Sequence, residues 1–332
     1  MKVGIIGAGR IGKVHAKNIT CFVPELEIKT VADPFMNPET EALLHGYGIQ
    51  STTKDAAEII NDPEIEAVLI CSSTDTHADF IMQAAKAGKH IFCEKPIDYD
   101  IDRVRQAIQA AQDAGVKLQI GFCRRFDHNH RAVYDMVRAG KVGDVNLIKI
   151  SSRDPEPPSI AYVKVSGGIF YDMMIHDFDM ARFLAGCEVT EVSACGSVLV
   201  DPAIGEAGDI DTAVVTLKFE NGAIGIIDNS RRAVYGYDQR VEVFGSKGCA
   251  INSNDIPSTA VFWGEDGSVS GTAYKVMWDR YTGAFVAEMQ AFAKAVMNDE
   301  ETPVTGMDGL YPVLMAAAAA KSLKEGHPVR IQ

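Results

Sequence analysis

The chain has no Cys-x-x-Cys pair. Its seven cysteines, Cys21, Cys71, Cys93, Cys123, Cys187, Cys195 and Cys249, are odd in number and scattered. Such spacing implies neither a disulfide framework nor a cysteine-based metal site. Several lie in apolar runs, such as Val68-Leu69-Ile70-Cys71 and Ile91-Phe92-Cys93, as expected of buried thiols in a reducing cytoplasm. No apolar stretch is long enough to span a bilayer. The opening Met1-Lys2-Val3-Gly4-Ile5-Ile6 goes straight into a strand-like run, without the charged lead, apolar core and cleavage site of a secretion signal. A cytoplasmic protein is expected. Positive charge is also scarce: 32 Lys and Arg stand against 45 Asp and Glu, a net charge of −13. That balance argues against nucleic acid and anionic membrane as general partners. It leaves room for a dinucleotide, because backbone N–H groups can hold a pyrophosphate locally. Repeats and low-complexity tracts are missing too; the alanine run at Ala316–Ala320 is ordinary helix filler.

At 332 residues the chain exceeds one ordinary core, and two domains are expected, 1–121 and 122–332. The first third alternates strand-like and helical patterns. Strands are expected at Val3–Ile6, Ile28–Ala32, Ala67–Cys71, His90–Cys93 and Lys117–Gly121. Helices are expected at Ile11–Phe22, His77–Ala87 and Ile101–Ala114. This alternation predicts an α/β fold whose N-terminal domain is a doubly wound parallel sheet. Beyond Gly121 the pattern changes. Helical runs at Asn129–Ala139 and Tyr171–Leu184 flank a strand-like Val145–Ser152, and 191–252 is mostly strand-like. Turn signals at Glu220-Asn221-Gly222 and Gly245-Ser246-Lys247-Gly248 imply hairpins, hence a largely antiparallel second sheet. Helical patterns near Ala284–Met297 and Gly309–Glu325 close the chain.

Gly7-Ala8-Gly9-Arg10-Ile11-Gly12 has dinucleotide-fingerprint spacing. The first glycine permits the tight turn, the second lets a pyrophosphate approach the backbone, and the third lets the helix pack on the strand. The motif alone is weak, but it follows an apolar strand and opens a helix, which is the confirming context. The bland alternative is a ligand-free βα turn. Asp33 ends the second strand about twenty residues on, where an acid binds ribose hydroxyls. No basic residue follows in Asp33-Pro34-Phe35-Met36-Asn37, so NAD is expected over NADP. Glu94-Lys95-Pro96 follows the strand at His90–Cys93, at the carboxyl edge where open α/β sheets bind ligands. Lys95 there can hydrogen-bond a substrate hydroxyl and stabilise an alkoxide; an exposed loop lysine is the bland reading. In Ser72-Ser73-Thr74-Asp75-Thr76-His77, either His77 touches the cofactor or the Ser and Thr residues simply cap the next helix. Arg124 can bind substrate oxygens, whereas Arg125 reads as a surface ion-pair partner.

Asp172 and His176 sit four residues apart. On a helix both would share one face, and the pair could be a proton relay, half a metal site or a plain ion pair. A metal site would need further ligands at recognisable spacing, and no second His/Cys cluster is present. Beside a nicotinamide site and a strand-end lysine, the relay is the better reading.

These residues together resemble the Gfo/Idh/MocA oxidoreductase family, and within it the inositol 2-dehydrogenases. The resemblance runs the whole length. It rests on Gly7 to His15, Phe92-Cys93-Glu94-Lys95-Pro96, Gly121 to Asp127, Ser152-Arg153-Asp154-Pro155, Asp172 to Asp179, and Tyr235-Gly236-Tyr237-Asp238. It implies a Rossmann domain and a C-terminal α/β domain whose open sheet supports homotetramers. It implies a catalytic set of Lys95, Asp172 and His176. Cofactor contacts would come from Gly7, Gly9, Arg10, Ile11, Gly12, Asp33, Ser72, Ser73, His77, Glu94 and Lys95. Substrate contacts would come from Lys95, Arg124, Asp154, Asp172, His176, Tyr235 and Tyr237, with no metal. The expected reaction is NAD-dependent oxidation of a cyclic polyol, myo-inositol to its 2-keto product. Alternatives are scyllo-inositol, glucose or another pyranose as substrate, or a non-catalytic dinucleotide sensor. Ser152 and Asp154 stand where part of the group resembled carries His and Asn, which bears on the isomer.

Overall fold

The computed structural model describes residues 1–331. The chain divides into two compact units, one of Met1–Phe126 with Thr282–Val313, the other of Asp127–Tyr281 with the segment from Leu314 onward.

The first unit is built on six strands: β1 (Lys2–Ile6), β2 (Glu27–Ala32), β3 (Ser51–Thr53), β4 (Ala67–Ile70), β5 (His90–Glu94) and β6 (Leu118–Gly121). They pair parallel in the order β3-β2-β1-β4-β5-β6. Every residue of β4 is fully buried, because helices cover both faces of a parallel sheet. Strand order reverses between β1 and β4, which is the topological switch point where such sheets bind ligands. Helix α1 (Arg10–Phe22) packs Ala16 and Ile19 against Val3, Ile5, Val31 and Leu69. Met289, Phe292 and Ala293, from the returning stretch 282–313, join the same core.

The second unit carries a seven-stranded sheet. Its strands are β7 (Val145–Arg153), β8 (Val189–Ser197), β9 (Thr212–Phe219), β10 (Ile224–Ser230), β11 (Asp238–Gly245), β12 (Gly248–Asn252) and the short Val329–Arg330. All pairings are antiparallel except β10 with β7. The expected hairpins form: Gly222, at φ 86°, turns β9 into β10, and Ser246-Lys247 joins β11 to β12. Burial alternates strictly along β9, so one face is covered and the other is not. The covered face packs Ile148, Ile150, Val215, Leu217, Ile227 and Val243 under Val133, Phe178, Ala181 and Leu184. The open face shows Val214, Ile224, Phe244 and Ile251, each 45–55% exposed. A separate small hairpin, Val261–Gly264 with Gly267–Ser270, is exposed throughout. Among the described residues no helix is long and apolar enough to cross a membrane.

Candidate active site

In the first unit the fingerprint turn has the geometry its glycines suggested. Gly7 sits at φ 102°, and a Cβ there would lie 2.6 Å from the Cys71 carbonyl carbon and the Ser72 nitrogen. A Cβ on Gly12 would collide with the Gly7 carbonyl oxygen, whereas one on Gly9 would meet nothing within 4 Å. The turn is therefore tight below and open above. Helix α1 begins directly after Gly9, with no side-chain cap and no acid in its first turn. Its leading N–H groups are thus left for an anion. The residues fit a dinucleotide pyrophosphate.

Asp33 braces this loop. Its Oδ2 accepts the Ala8 N–H at 2.6 Å and its Oδ1 accepts the Phe35 N–H at 2.8 Å. Each carboxylate oxygen keeps a second lone pair, so the side chain can still accept a ribose diol.

At the end of β5, Glu94 is buried and its Oε1 accepts from His15 Nε2 at 2.7 Å. His15 lies on α1 with no exposure, held edge-on between Phe92 and Phe285. Glu94 thereby ties the strand end to the fingerprint helix. The pair needs room: a Cβ on Gly121 would come within 2.9 Å of Glu94 Oε2. Lys95 follows, half-buried, joined to Pro96 by a cis bond. His77 is buried between two carbonyls, with Nδ1 2.8 Å from Pro96 O and Nε2 3.0 Å from Ser72 O. Burial pushes its imidazole below the ordinary range, so the ring is neutral near pH 7 and its single N–H serves one of them. His77 thus clasps the loops after β4 and β5. Ser72 Oγ bonds Thr76 Oγ1 at 2.7 Å, and Ser73 occupies the N-cap position of the helix Thr74–Lys86 without a side-chain cap bond. Arg124 is buried. Arg125 is ion-paired as expected, to Asp308 at 2.8 Å, but buried and not on the surface.

In the second unit the helix expected over Tyr171–Leu184 is two: Ile169–Asp172 and Ile175–Ala185. The break is a slip of the hydrogen-bond ladder. The Met174 N–H reaches back to Ile169 O at 2.8 Å, five residues away, widening the turn between Asp172 and His176. Asp172 ends the short helix. Its Oδ1 accepts from Tyr162 Oη at 2.8 Å and its Oδ2 from Arg231 Nη1 at 3.1 Å. His176 lies in the first turn of the next helix, half-buried.

Two groups that sequence reasoning missed hold this region. Asp177, fully buried, accepts from Asn229 Nδ2 at 2.8 Å and from Ser152 Oγ, pinning the His176 helix to β10 and β7. Ser152, fully buried, also meets Gln239 Oε1 at 2.8 Å. The second missed group is Arg231, 1% exposed. Asp154 is half-buried, and its N–H donates to Ser230 O at 3.0 Å. Tyr235 is exposed and donates its hydroxyl to Asp238 Oδ2 at 2.6 Å while Arg153 Nη1 donates to it at 3.2 Å. Desolvation and then Asp238 push its phenol upward. Tyr237 is buried, edge-on to Tyr281. Gly236 between the tyrosines, at φ 122°, permits the turn. Tyr235 lines a cavity with Arg153, Asp228 and Val234, and neither Asp172 nor His176 is among the residues lining it.

Residues 1–122 match the model of an oxidoreductase family with an NAD-binding Rossmann fold, and 130–251 match the GFO/IDH/MocA C-terminal domain. An uncharacterized oxidoreductase, YrbE of Bacillus subtilis strain 168, is 48% identical over 99% of this chain and 96% of its own. A myo-inositol 2-dehydrogenase of Thermotoga maritima is 45% identical, over 100% of this chain and 99% of its own. A crystal structure of scyllo-inositol dehydrogenase from Lactobacillus casei with NAD(H) and scyllo-inositol superposes with TM-score 0.92 at 31% identity, over 100% and 99% of the two chains.

Proposed function

Because the chain belongs to the GFO/IDH/MocA oxidoreductase family, we propose that it is an NAD-dependent dehydrogenase oxidising a secondary alcohol of a cyclic polyol. The favoured reaction is myo-inositol to 2-keto-myo-inositol. One observation carries this reading: the likeness to the Thermotoga myo-inositol 2-dehydrogenase runs the whole chain and includes a fingerprint turn shaped for a pyrophosphate. We assign dinucleotide binding to the first unit and substrate binding and assembly to the second.

NAD, when bound, accepts the hydride from the carbinol carbon. The residues do the rest. The uncapped start of α1 and the open space over Gly9 receive the pyrophosphate. Asp33 takes the ribose diol and disfavours a 2′-phosphate. His176 removes the hydroxyl proton as general base, and Asp172 stabilises the imidazolium that results. The Lys95 ammonium holds the reacting oxygen as its negative charge grows. Arg124, Asp154, Tyr235 and Tyr237 take up further substrate hydroxyls. A neutral polyol also suits a chain of net charge −13 better than an anion would. The exposed apolar residues of the open sheet face support a homotetramer formed through that face. Free thiols support a reducing, cytoplasmic setting.

A second reading, scyllo-inositol as substrate, is favoured by the likeness to the L. casei enzyme. A non-catalytic sensor is disfavoured, since Lys95, Asp172 and His176 are all retained. Purified protein with NAD and a panel of inositols and pyranoses decides. NADH should form fastest with an inositol, and Lys95→Ala and His176→Ala should nearly abolish turnover with the fold intact by circular dichroism. If none of these compounds reduces NAD, the reading is wrong.

A further inference from the structure

Asp172 is held by a buried cation that the family reading does not assign. Arg231 follows β10 directly and is 1% exposed. Its Nη1 donates to Asp172 Oδ2 at 3.1 Å, and its Nη2 lies 3.6 Å from Asp209 Oδ2. Asp209 in turn accepts the Ile169 N–H at 3.0 Å through Oδ1. It therefore braces the start of the short helix that ends in Asp172. The Arg231 N–H is fixed by the Asp211 carbonyl at 2.9 Å. One buried guanidinium, always charged, thus stands between two carboxylates, and Tyr162 holds the other oxygen of Asp172.

Resting on the dehydrogenase reading above, we infer that Arg231 is a positioning residue of the reaction. It locks the Asp172 carboxylate in place and, with Asp209, sets the electrostatic balance under which His176 accepts the proton. The facing groups support this. Tyr162 comes from the helix Ile160–Val163, Asp209 from the loop before β9, and His176 follows Asp172 by four residues. The Asp211 carboxylate is turned away, taking the N–H groups of Leu199, Val200 and Asp201. A purely structural arginine would affect folding alone, whereas this arrangement couples it to proton transfer.

The sign is testable in two directions. Arg231→Met removes a positive charge, which favours the protonated base. The acid limb of kcat/KM for the polyol should move to higher pH by roughly half a unit or more. Loss of positioning should lower kcat by about 10- to 100-fold, with KM for NAD within about twofold of wild type. Arg231→Lys keeps the charge but not the fork, so it should restore the pH limb and only part of kcat. Asp209→Asn removes a negative charge while its amide oxygen still accepts the Ile169 N–H. Its acid limb should move to lower pH, and this variant carries the test if Arg231→Met does not fold. If both acid limbs coincide with wild type and kcat stays within twofold, Arg231 is structural and the inference is overturned. If wild-type protein oxidises no polyol, it is the dehydrogenase reading that has failed.

Discussion

Replacing Asp33 with asparagine should reverse much of the coenzyme preference. The wild-type carboxylate already accepts two backbone N–H groups, from Ala8 and Phe35, and each oxygen can accept one ribose hydroxyl as well. Hydrogen bonds to a charged group contribute about 1.5–3 kcal/mol, against about 0.5–1.5 for neutral pairs. Loss of the charge should therefore weaken NAD by about 1–2 kcal/mol, or roughly 5- to 30-fold in kcat/KM. The same charge repels a 2′-phosphate. At about 5 Å and an effective dielectric constant of about 20, the repulsion is roughly 3 kcal/mol per unit charge. Asp33 is half-buried, and solvent and salt reduce that to about 2 kcal/mol, so NADP should improve by roughly 30-fold. The NAD/NADP ratio should contract by about 100- to 1,000-fold. The assay is initial-rate NAD(P)H formation at fixed inositol. One loop N–H also loses its acceptor, so Tm should fall by a few degrees. A ratio within threefold of wild type, with only Tm changed, would show that Asp33 is a loop brace and not the ribose acceptor.

Other consequences are equally checkable. Asp127 and Arg280 form a buried ion pair, bonded through Oδ1 and Nη2 at 3.1 Å and again through Oδ2 and Nη1. Arg280→Met strands the carboxylate and should destabilise the second unit by about 3–5 kcal/mol in denaturant melts; a loss under 1 kcal/mol would refute the assignment. Burial alone would raise the Asp127 carboxyl, but His130 and Arg280 hold it well below the usual carboxylate range. Its contribution is therefore present above about pH 4 and is lost as pH falls toward its depressed folded value. Arg280→Met should accordingly move acid unfolding to higher pH. Ile224→Glu places a charge on the open sheet face, where Ile224 is 50% exposed. If the proposed homotetramer forms through that face, light scattering should show it dissociating; an unchanged mass would exclude that face as the interface.

The first unit was legible where its strands are apolar runs, as at Val3–Ile6 and Ala67–Ile70, and where its turn glycines are demanded by sterics; the short polar β3, Ser51-Thr52-Thr53, carries no such signal. Gly7 and Gly12 have no room for a Cβ, so position alone announced their role. The second sheet was legible through its hairpin turns. What stayed hidden depends on burial and on distant partners. The ladder slip at Met174 leaves backbone dihedrals helical, with φ −71° and ψ −17°, so no residue type marks it. Arg231 beside Arg232 reads as surface charge, yet only the first is buried. Ser152 drew attention as a determinant of the substrate isomer, but its hydroxyl is taken by Asp177 and Gln239. His15 sits within the fingerprint run, but its partner Glu94 is 79 residues away. The helices near the C-terminus are readable as helices, but amphipathicity does not say that 282–313 packs with the first unit.

Hydride transfer itself is the central claim, and deuterium reports it directly. With myo-inositol deuterated at carbon 2, NAD and wild-type protein, the reduced coenzyme should carry one deuterium on the nicotinamide ring by mass spectrometry. His176→Ala should form almost none. Unlabelled NADH, or no reduced coenzyme from any inositol or pyranose, would contradict the account.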